Sequence, residues 1–162
     1  LGCGTGAVAE ALAPFVSEVI GVDASPAMLQ GAEQRLARFE NVTLHAGELE
    51  HVPLANGAAD AVSLMLVLHH LDRPELAVRE AARIAKPGGK ILIVDMLTHD
   101  RVQYRREMGH TRLGFSQEEI ETICHEAGLG GTRFQPLPPA PEAKGPNLFA
   151  FSASKEQGTR KS

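Results

Sequence analysis

Apolar residues along this chain follow two alternating spacings, one typical of buried strands and one typical of amphipathic helices. Short runs rich in β-branched residues predict strands, and longer stretches in which apolar residues recur every three or four positions predict helices. This alternation predicts a parallel sheet covered by helices. The predicted strands lie at 18–23, 41–49, 60–71, 90–96, 133–137 and 147–154.

The helices are predicted from their apolar faces and their caps. Residues 7–15 predict a helix with Val8, Leu12 and Phe15 on one face. Ser25 is a favourable N-cap for a second helix, and Ser116 is one for the helix that begins in "FSQEEIETICHEAG". The last two strands predict a hairpin across a Pro-rich connection. The polar segment 155–162 is predicted to be a disordered tail.

The chain opens on "LGCGTG", in which glycine occupies positions 2, 4 and 6. Glycine lets the backbone turn sharply and lets a ligand approach closely, which is typical of nucleotide-binding loops. Asp23 ends the next predicted strand at the same edge of the sheet, where a carboxylate can accept hydrogen bonds from a ribose diol. Two alternatives remain: Asp23 only begins the turn before Ser25, and residues 2–7 also fit the dinucleotide pattern G-x-G-x-x-A.

Further motifs follow in order and with suitable spacing, namely "GVDASPAML", "AGELEHVPL", "DAVSLMLVLHHL" and "KPGGKILIVDM". With these, the chain resembles the class I S-adenosylmethionine-dependent methyltransferases, in particular the ubiquinone/menaquinone-biosynthesis-like group. The resemblance covers residues 1–154, which we expect to form one methyltransferase domain. It implies an α/β fold, a Rossmann-like doubly wound and mostly parallel sheet with the strand order 3-2-1-4-5-7-6.

In this family, the glycine motif follows an acidic residue at the end of strand one. Leu1 occupies the position after that residue. We therefore expect the sequence to be truncated at its N-terminus, with strand one missing. The segment 99–116 also resembles the methyltransferase half of bacterial two-domain proteins with an arsenic-repressor-type domain upstream, so a DNA-binding domain before Leu1 is a further expectation.

The resemblance also implies which residues bind S-adenosylmethionine. The glycine motif would contact the amino-acid part of the cofactor, Asp23 its ribose, and Ala24 and Met28 its adenine. Glu48 stands where the family more often has Asp, and Leu49 would offer its backbone N–H to the ring. Met65 and Leu66 would lie near the sulfonium. The cofactor-binding set is thus Gly2, Cys3, Gly4, Gly6, Asp23, Ala24, Met28, Glu48, Leu49, Met65 and Leu66.

Catalytic candidates come from two stretches. His69 and His70 lie at the end of the predicted strand 60–71. One of them could act as a base, or the pair could shape the loop that follows. Tyr104 and His110 lie in the segment 99–116, which also contains Arg105 and Arg112 and is called the Arg-rich stretch below. This stretch either covers the acceptor site or forms a solvated helix. A metal site would need a third ligand from His99 or His110, and we expect none.

Composition narrows the function classes. The net charge of −4 over 162 residues gives no support for general nucleic-acid binding. Cys3 and Cys124 show no metal or redox spacing, and no apolar run is long enough for a membrane span, so we expect a cytoplasmic protein.

The leading hypothesis is methyl transfer to a small-molecule acceptor. The alternatives are a non-catalytic cofactor-sensing module of a transcriptional regulator and, less consistent with the later motifs, an NAD-dependent oxidoreductase. The acceptor and the oligomeric state stay open.

Overall fold

The protein is described here from a computed structural model that covers residues 1–139 and 141–156. The chain divides into two compact units, Leu1–Leu54 and Ala55–Ser162, and each is described by itself. Within the described residues, no helix combines the length and the apolar character that crossing a membrane requires.

The first unit pairs two parallel strands and covers them with helices. Strand β1 runs in register with β2, from Val19 opposite Val42 to Asp23 opposite Ala46. Ser25 caps α2, because its hydroxyl accepts a hydrogen bond from the Met28 N–H at 3.3 Å, as the sequence predicted. The elements are α1 (Ala7–Leu12), β1 (Val19–Asp23), α2 (Pro26–Leu36) and β2 (Val42–Ala46).

The first helix differs from its prediction. It ends at Leu12, and Ala13–Phe15 continue as a short 3-10 turn, since Pro14 lacks the N–H that an α-helix needs. Its buried residue is Ala9, which packs with Ala32 and Leu36 of α2. The predicted apolar face of Val8, Leu12 and Phe15 is instead exposed. A small residue at the contact lets the two helices approach closely.

The second unit contains a four-stranded mixed sheet with the order β3-β4-β6-β5. Strands β3 and β4 are parallel, whereas β6 is antiparallel to both β4 and β5. The elements are β3 (Ala59–Met65), α3 (Pro74–Ile84), β4 (Ala85–Met96), α4 (Tyr104–Glu107), α5 (Gln117–Glu126), β5 (Leu129–Pro136) and β6 (Leu148–Lys155). Parallel strands joined through a helix, with an antiparallel hairpin at the edge, confirm the predicted α/β class.

Within each sheet, the strand order agrees with the expected one. The pair β2-β1 corresponds to the family's strands three and two, and β3-β4-β6-β5 corresponds to strands four, five, seven and six. The predicted hairpin of the last two strands is confirmed. The disordered tail was predicted to begin at residue 155, but Lys155 is the last residue of β6 and pairs with Leu129. The rest of that prediction, from 157 to 162, lies outside the described residues.

The second unit's core lies between its sheet and two helices. The interior faces of β4 and β6 bury Ile91, Ile93, Phe149 and Phe151 completely. Helix α5 adds Ile120 and is capped by Ser116, whose hydroxyl accepts a hydrogen bond from the Glu119 N–H at 3.2 Å. The cap predicted at Ser116 is therefore confirmed. This core holds the carboxyl ends of β3 and β4 in place.

Candidate functional site

The glycine segment needs glycine at each of its three glycine positions. Gly2, Gly4 and Gly6 have φ angles of 65°, 52° and 83°, in the left-handed region that other residues rarely adopt. A Cβ on Gly6 would lie 2.7 Å from Cδ1 of Leu36, whereas a Cβ on Gly4 would meet nothing within 4 Å. The segment is thus packed against its own unit at Gly6 and has open space at Gly4.

Asp23 connects the glycine segment to the end of β1. One of its carboxylate oxygens accepts the Gly4 N–H at 2.7 Å, and the other accepts the Ser25 N–H at 2.9 Å. The Cys3 N–H donates to the Val22 carbonyl at 3.0 Å. Asp23 therefore begins the turn before Ser25, as one interpretation held. A carboxylate has about four lone-pair sites, so acceptor capacity also remains for a ligand diol.

The other cofactor residues of this unit differ in exposure. Ala24 and Glu48 are exposed, Met28 is 45% exposed at the start of α2, and Leu49 is buried. The pKa of the Cys3 thiol is raised, first by burial and then by the Asp23 carboxylate. Cys3 is consequently a neutral thiol rather than a nucleophile.

The second unit carries the remaining predicted residues, beginning at the end of β3. This strand ends at Met65 instead of reaching residue 71. Leu66 has a φ of 54°, although it is not glycine, and it is 44% exposed. Its N–H still donates to the Val94 carbonyl at 2.7 Å. Strained backbone of this kind is concentrated at functional sites, where the surrounding structure maintains it.

His69 and His70 therefore lie on a 3-10 turn, Leu68–His70, and not on the strand itself. The structure brings His110 to the same place. The ring centroid of His69 lies 4.2 Å from that of His70 and 4.3 Å from that of His110. One ring nitrogen from each of these residues lies within 4.8 Å of the other two. We call His69, His70 and His110 the histidine cluster.

Asp95 orients the histidine cluster, and the sequence analysis missed it. Its fully buried carboxylate lies 2.7 Å from Nδ1 of His69 and accepts the backbone N–H groups of Leu68 at 3.0 Å and Met96 at 2.7 Å. The signal was present in the sequence as a single acidic residue inside the apolar strand "KILIVDM". A buried carboxylate in such a strand requires hydrogen-bond donors around it. Its presence in the sequence therefore indicates that polar groups converge at this point of the fold.

Backbone hydrogen bonds attach the Arg-rich stretch to the histidine turn. The N–H groups of Thr111 and Arg112 both donate to the His69 carbonyl at 3.0 Å, and the Thr111 hydroxyl donates to the His70 carbonyl at 3.0 Å. Nδ1 of His70 lies 3.2 Å from the Gly109 carbonyl. This stretch is therefore not simply a solvated helix, because it holds His110 against the turn.

Tyr104 lies beside the histidine cluster, and two nearby arginines, Arg101 and Arg112, already have hydrogen-bond or ion-pair partners. The Tyr104 ring lies 5.2 Å from that of His110, and its hydroxyl accepts a hydrogen bond from Arg101 at 2.9 Å. Arg112 forms an ion pair with Glu119, which neutralises the charge predicted to meet an anionic acceptor. Arg105 is exposed on the four-residue helix α4.

His99 adds a hydrogen-bond donor next to this site. Its Nδ1 accepts the Arg101 N–H at 3.2 Å, so the proton of the neutral ring is on Nε2. Burial, and then the charge of Arg101, lower the pKa of His99. A groove of about 710 Å³ runs beside it, lined by 97–101 and 145–147. The second unit thus has a groove large enough for a small molecule, and its lining residues include His99 but not Tyr104 or the histidine cluster.

Residues 1–93 match the sequence model of a family described as a methyltransferase domain, which is more than half of the chain. The chain belongs to this methyltransferase family. The glycine segment, Asp23 and the histidine turn all lie within the matched residues.

Curated proteins that are similar to this chain support the same family assignment. The uncharacterized methyltransferase YcgJ of Bacillus subtilis is 36% identical over 97 residues, covering 59% of this chain and 38% of the relative. A demethylmenaquinone methyltransferase of Tropheryma whipplei is 35% identical over 103 residues, covering 62% and 41%. The chain therefore matches less than half the length of either relative.

Solved structures share the fold. YcgJ of Bacillus subtilis aligns with a TM-score of 0.79 at 24% identity, covering 97% of this chain and 90% of that one. A phosphoethanolamine N-methyltransferase of Haemonchus contortus, solved with S-adenosyl-L-methionine, aligns with a TM-score of 0.81 at 20% identity, covering 96% and 47%. Binding of S-adenosylmethionine is a general trait of the family.

Proposed function

We propose that this chain transfers a methyl group from S-adenosylmethionine to a small-molecule acceptor. The observation that carries the proposal is the hydrogen bond between Asp23 and the Gly4 N–H, which fastens a left-handed glycine segment to the end of β1. The open space at Gly4 and the unused lone pairs of Asp23 fit a cofactor with an amino-acid part and a ribose diol.

In this proposal, the first unit holds the cofactor. Gly2, Cys3, Gly4 and Gly6 line its amino-acid part through their backbone, and Asp23 accepts the ribose hydroxyls. The exposed side chain of Met28 covers the adenine together with Ala24, which would remove a large apolar group from water. Glu48 and Leu49 would bind the edge of the ring, and the roles that the resemblance implies for Met65 and Leu66 stay predictions.

The acceptor is proposed to bind at the histidine cluster and Tyr104. S-adenosylmethionine supplies a methyl group already activated by a positively charged sulfur, so the protein's main tasks are to orient the acceptor and exclude water. Orientation of this kind can contribute about 7–11 kcal/mol. His70 and His110 are the cluster members that Asp95 does not hold. While no ion occupies the cluster, their ring nitrogens are therefore the candidates for receiving a proton from the acceptor, if its reactive atom carries one.

The alternatives predicted from the sequence gain no comparable support. The family match favours a methyl-transfer domain over an NAD-dependent oxidoreductase. The relatives described above have methyltransferase names, and none of these names indicates a regulator. A cofactor-sensing module without activity would nevertheless bind the same cofactor, so binding and turnover must be measured separately.

The test is calorimetric titration with S-adenosylhomocysteine, followed by turnover of labelled cofactor with a metabolite extract. We expect Asp23→Ala to weaken binding by about 1–3 kcal/mol through lost charge-assisted hydrogen bonds. The control is Asp72→Ala, which removes an exposed carboxylate outside the proposed cofactor set and should change nothing. Tyr104→Phe should lower turnover at unchanged cofactor affinity.

Two results would contradict this proposal. Equal affinities for the wild-type protein and Asp23→Ala would remove the ribose role of Asp23. Tight binding without transfer to any component of the extract would instead favour the sensing module.

A further inference from the structure

The histidine cluster is more buried than a group of surface side chains would be. His69 and His110 are only 2% and 3% exposed, while His70 reaches the surface. Their potential ligand nitrogens lie within 4.8 Å of one another, and this is the only such group of three His, Cys, Asp or Glu residues among the described residues. Such convergence of three imidazoles needs a physical reason.

In His69 and in His70, a hydrogen bond occupies one ring nitrogen and leaves the other free to bind a ligand. The Asp95 carboxylate accepts the Nδ1 proton of His69, so its Nε2 is left with a lone pair. The Gly109 carbonyl can only accept, so Nδ1 of His70 also carries the proton and Nε2 has the lone pair. A histidine whose second nitrogen donates to a carboxylate or a carbonyl is the usual arrangement around protein-bound metals.

The third member, His110, is unsatisfied. Its Nδ1 is buried and has no hydrogen-bond partner within the described part of the chain. A buried nitrogen without a partner costs free energy, and a ligand at the cluster would remove that cost.

We propose that His69, His70 and His110 bind one divalent transition-metal ion of the Zn²⁺ class, each through one ring nitrogen. Imidazole favours zinc, copper, nickel and cobalt, whereas Mg²⁺ and Ca²⁺ prefer oxygen ligands. Three histidines leave a fourth tetrahedral position for water or another donor, as in catalytic rather than structural zinc sites. The structure thus supplies the third ligand that the sequence analysis did not expect.

The remaining geometry is compatible with this site. Nitrogens around a tetrahedral zinc lie about 3.3 Å apart, so distances of up to 4.8 Å between the cluster nitrogens must shorten by up to about 1.5 Å. The exposed His70 can supply that movement by side-chain rotation, while Asp95 holds His69 in place. His99 is excluded as a ligand, because its Nδ1 already accepts the Arg101 N–H and its Nε2 carries the proton.

The proposal is tested with tag-free protein, Zn²⁺ in a calorimeter, and Co²⁺ followed by the visible absorption of tetrahedral cobalt. We expect one ion per chain and no binding of Mg²⁺. His70→Asn should weaken Zn²⁺ binding at least about tenfold. Asp95→Asn removes no metal ligand but disturbs the carboxylate that orients His69 and accepts the N–H groups of Leu68 and Met96, and it should weaken binding by about 10–100-fold. His125→Asn changes an exposed histidine on α5 and is the matched control.

Binding of neither Zn²⁺ nor Co²⁺ would overturn the metal site, as would equal affinities in wild-type protein, His70→Asn and His110→Asn. Circular dichroism of each variant separates loss of a ligand from loss of folding, and the exposed His70 keeps the test informative if His110→Asn does not fold. The titrations contain no cofactor or acceptor. Their outcome is therefore independent of the methyl-transfer proposal.

Discussion

Asp23 and Asp95 perform similar structural tasks in the two units, but with different consequences. Each lies near the end of a parallel strand, and each accepts two backbone N–H groups. Asp23 is half-buried and keeps acceptor capacity, whereas Asp95 is fully buried and also holds His69. The first carboxylate can therefore bind a ligand directly, while the second can act only through the imidazole that it orients.

The regions around these carboxylates are also assembled differently. The glycine segment is attached to β1 by hydrogen bonds from Cys3 to Val22 and from Gly4 to Asp23, partners that lie 19 residues apart along the chain. The histidine cluster depends on a stretch about 40 residues away, attached through the carbonyls of His69 and His70. We therefore expect the histidine region to be the more sensitive to distant substitutions.

The largest expected effect is at Gly114, which closes the Arg-rich stretch. Its φ is +83°, and a Cβ would lie 2.6 Å from the Leu97 carbonyl carbon and 2.8 Å from the Met96 oxygen. The Met96 carbonyl belongs to the last residue of β4, so relieving its contact would displace the end of that strand. We expect Gly114→Ala to lower the free energy of unfolding by about 4 kcal/mol, measured by urea denaturation.

Gly109→Ala provides the matched control for that prediction. Gly109 also has a positive φ, +68°, but a Cβ there would meet nothing within 4 Å. Only the conformational cost remains, about 1 kcal/mol. Similar losses in the two variants would show that backbone conformation, not the contact with β4, makes Gly114 necessary.

The next effect separates the two carboxylates. Asp95→Ala leaves three buried donors without an acceptor, namely His69 Nδ1 and the N–H groups of Leu68 and Met96. We expect a loss of about 3 kcal/mol in the free energy of unfolding. Asp23→Ala should cost about 1 kcal/mol, because water can reach the donors that it leaves.

Thermal and urea unfolding of both variants measure this difference. A loss in Asp23→Ala as large as that in Asp95→Ala would show that the glycine segment is as much a structural centre as the histidine region, and the contrast drawn here would fail.

The smallest effect concerns the helix caps, one in each unit. Ser25→Ala and Ser116→Ala each remove a side-chain acceptor for one backbone N–H, of Met28 and Glu119 respectively. Each should cost about 1 kcal/mol. Replacement by Asp, which also caps, should restore most of the stability, and failure of Asp to do so would argue against a capping role.

What the sequence predicted well was local. The sharp backbone turns at the glycines, the cap of α2 and the strand at Asp23 follow from residues a few positions apart. The strand orders agree with the order that the family resemblance implied. The end of β3 was predicted wrongly, since "LVLHHL" is apolar enough for a strand and nothing in it signals the left-handed Leu66.

The histidine region could not be assembled from sequence for a different reason. Its geometry depends on hydrogen bonds between His69 or His70 and residues 109–112, and the pattern of apolar positions does not encode such pairings. The role of Asp95 was likewise hidden within an apolar strand. Here, long-range backbone contacts decide which of the histidines meet.

The left-handed Leu66 has a consequence for how this domain can evolve. Glycine would adopt the same φ at lower cost, so a leucine there trades stability for its own side chain. The side chain is only 44% exposed, so a glycine there would relieve the backbone strain but lose the apolar area that the leucine buries. The position therefore balances two opposite contributions to stability, and drift toward glycine is limited by the loss of packing.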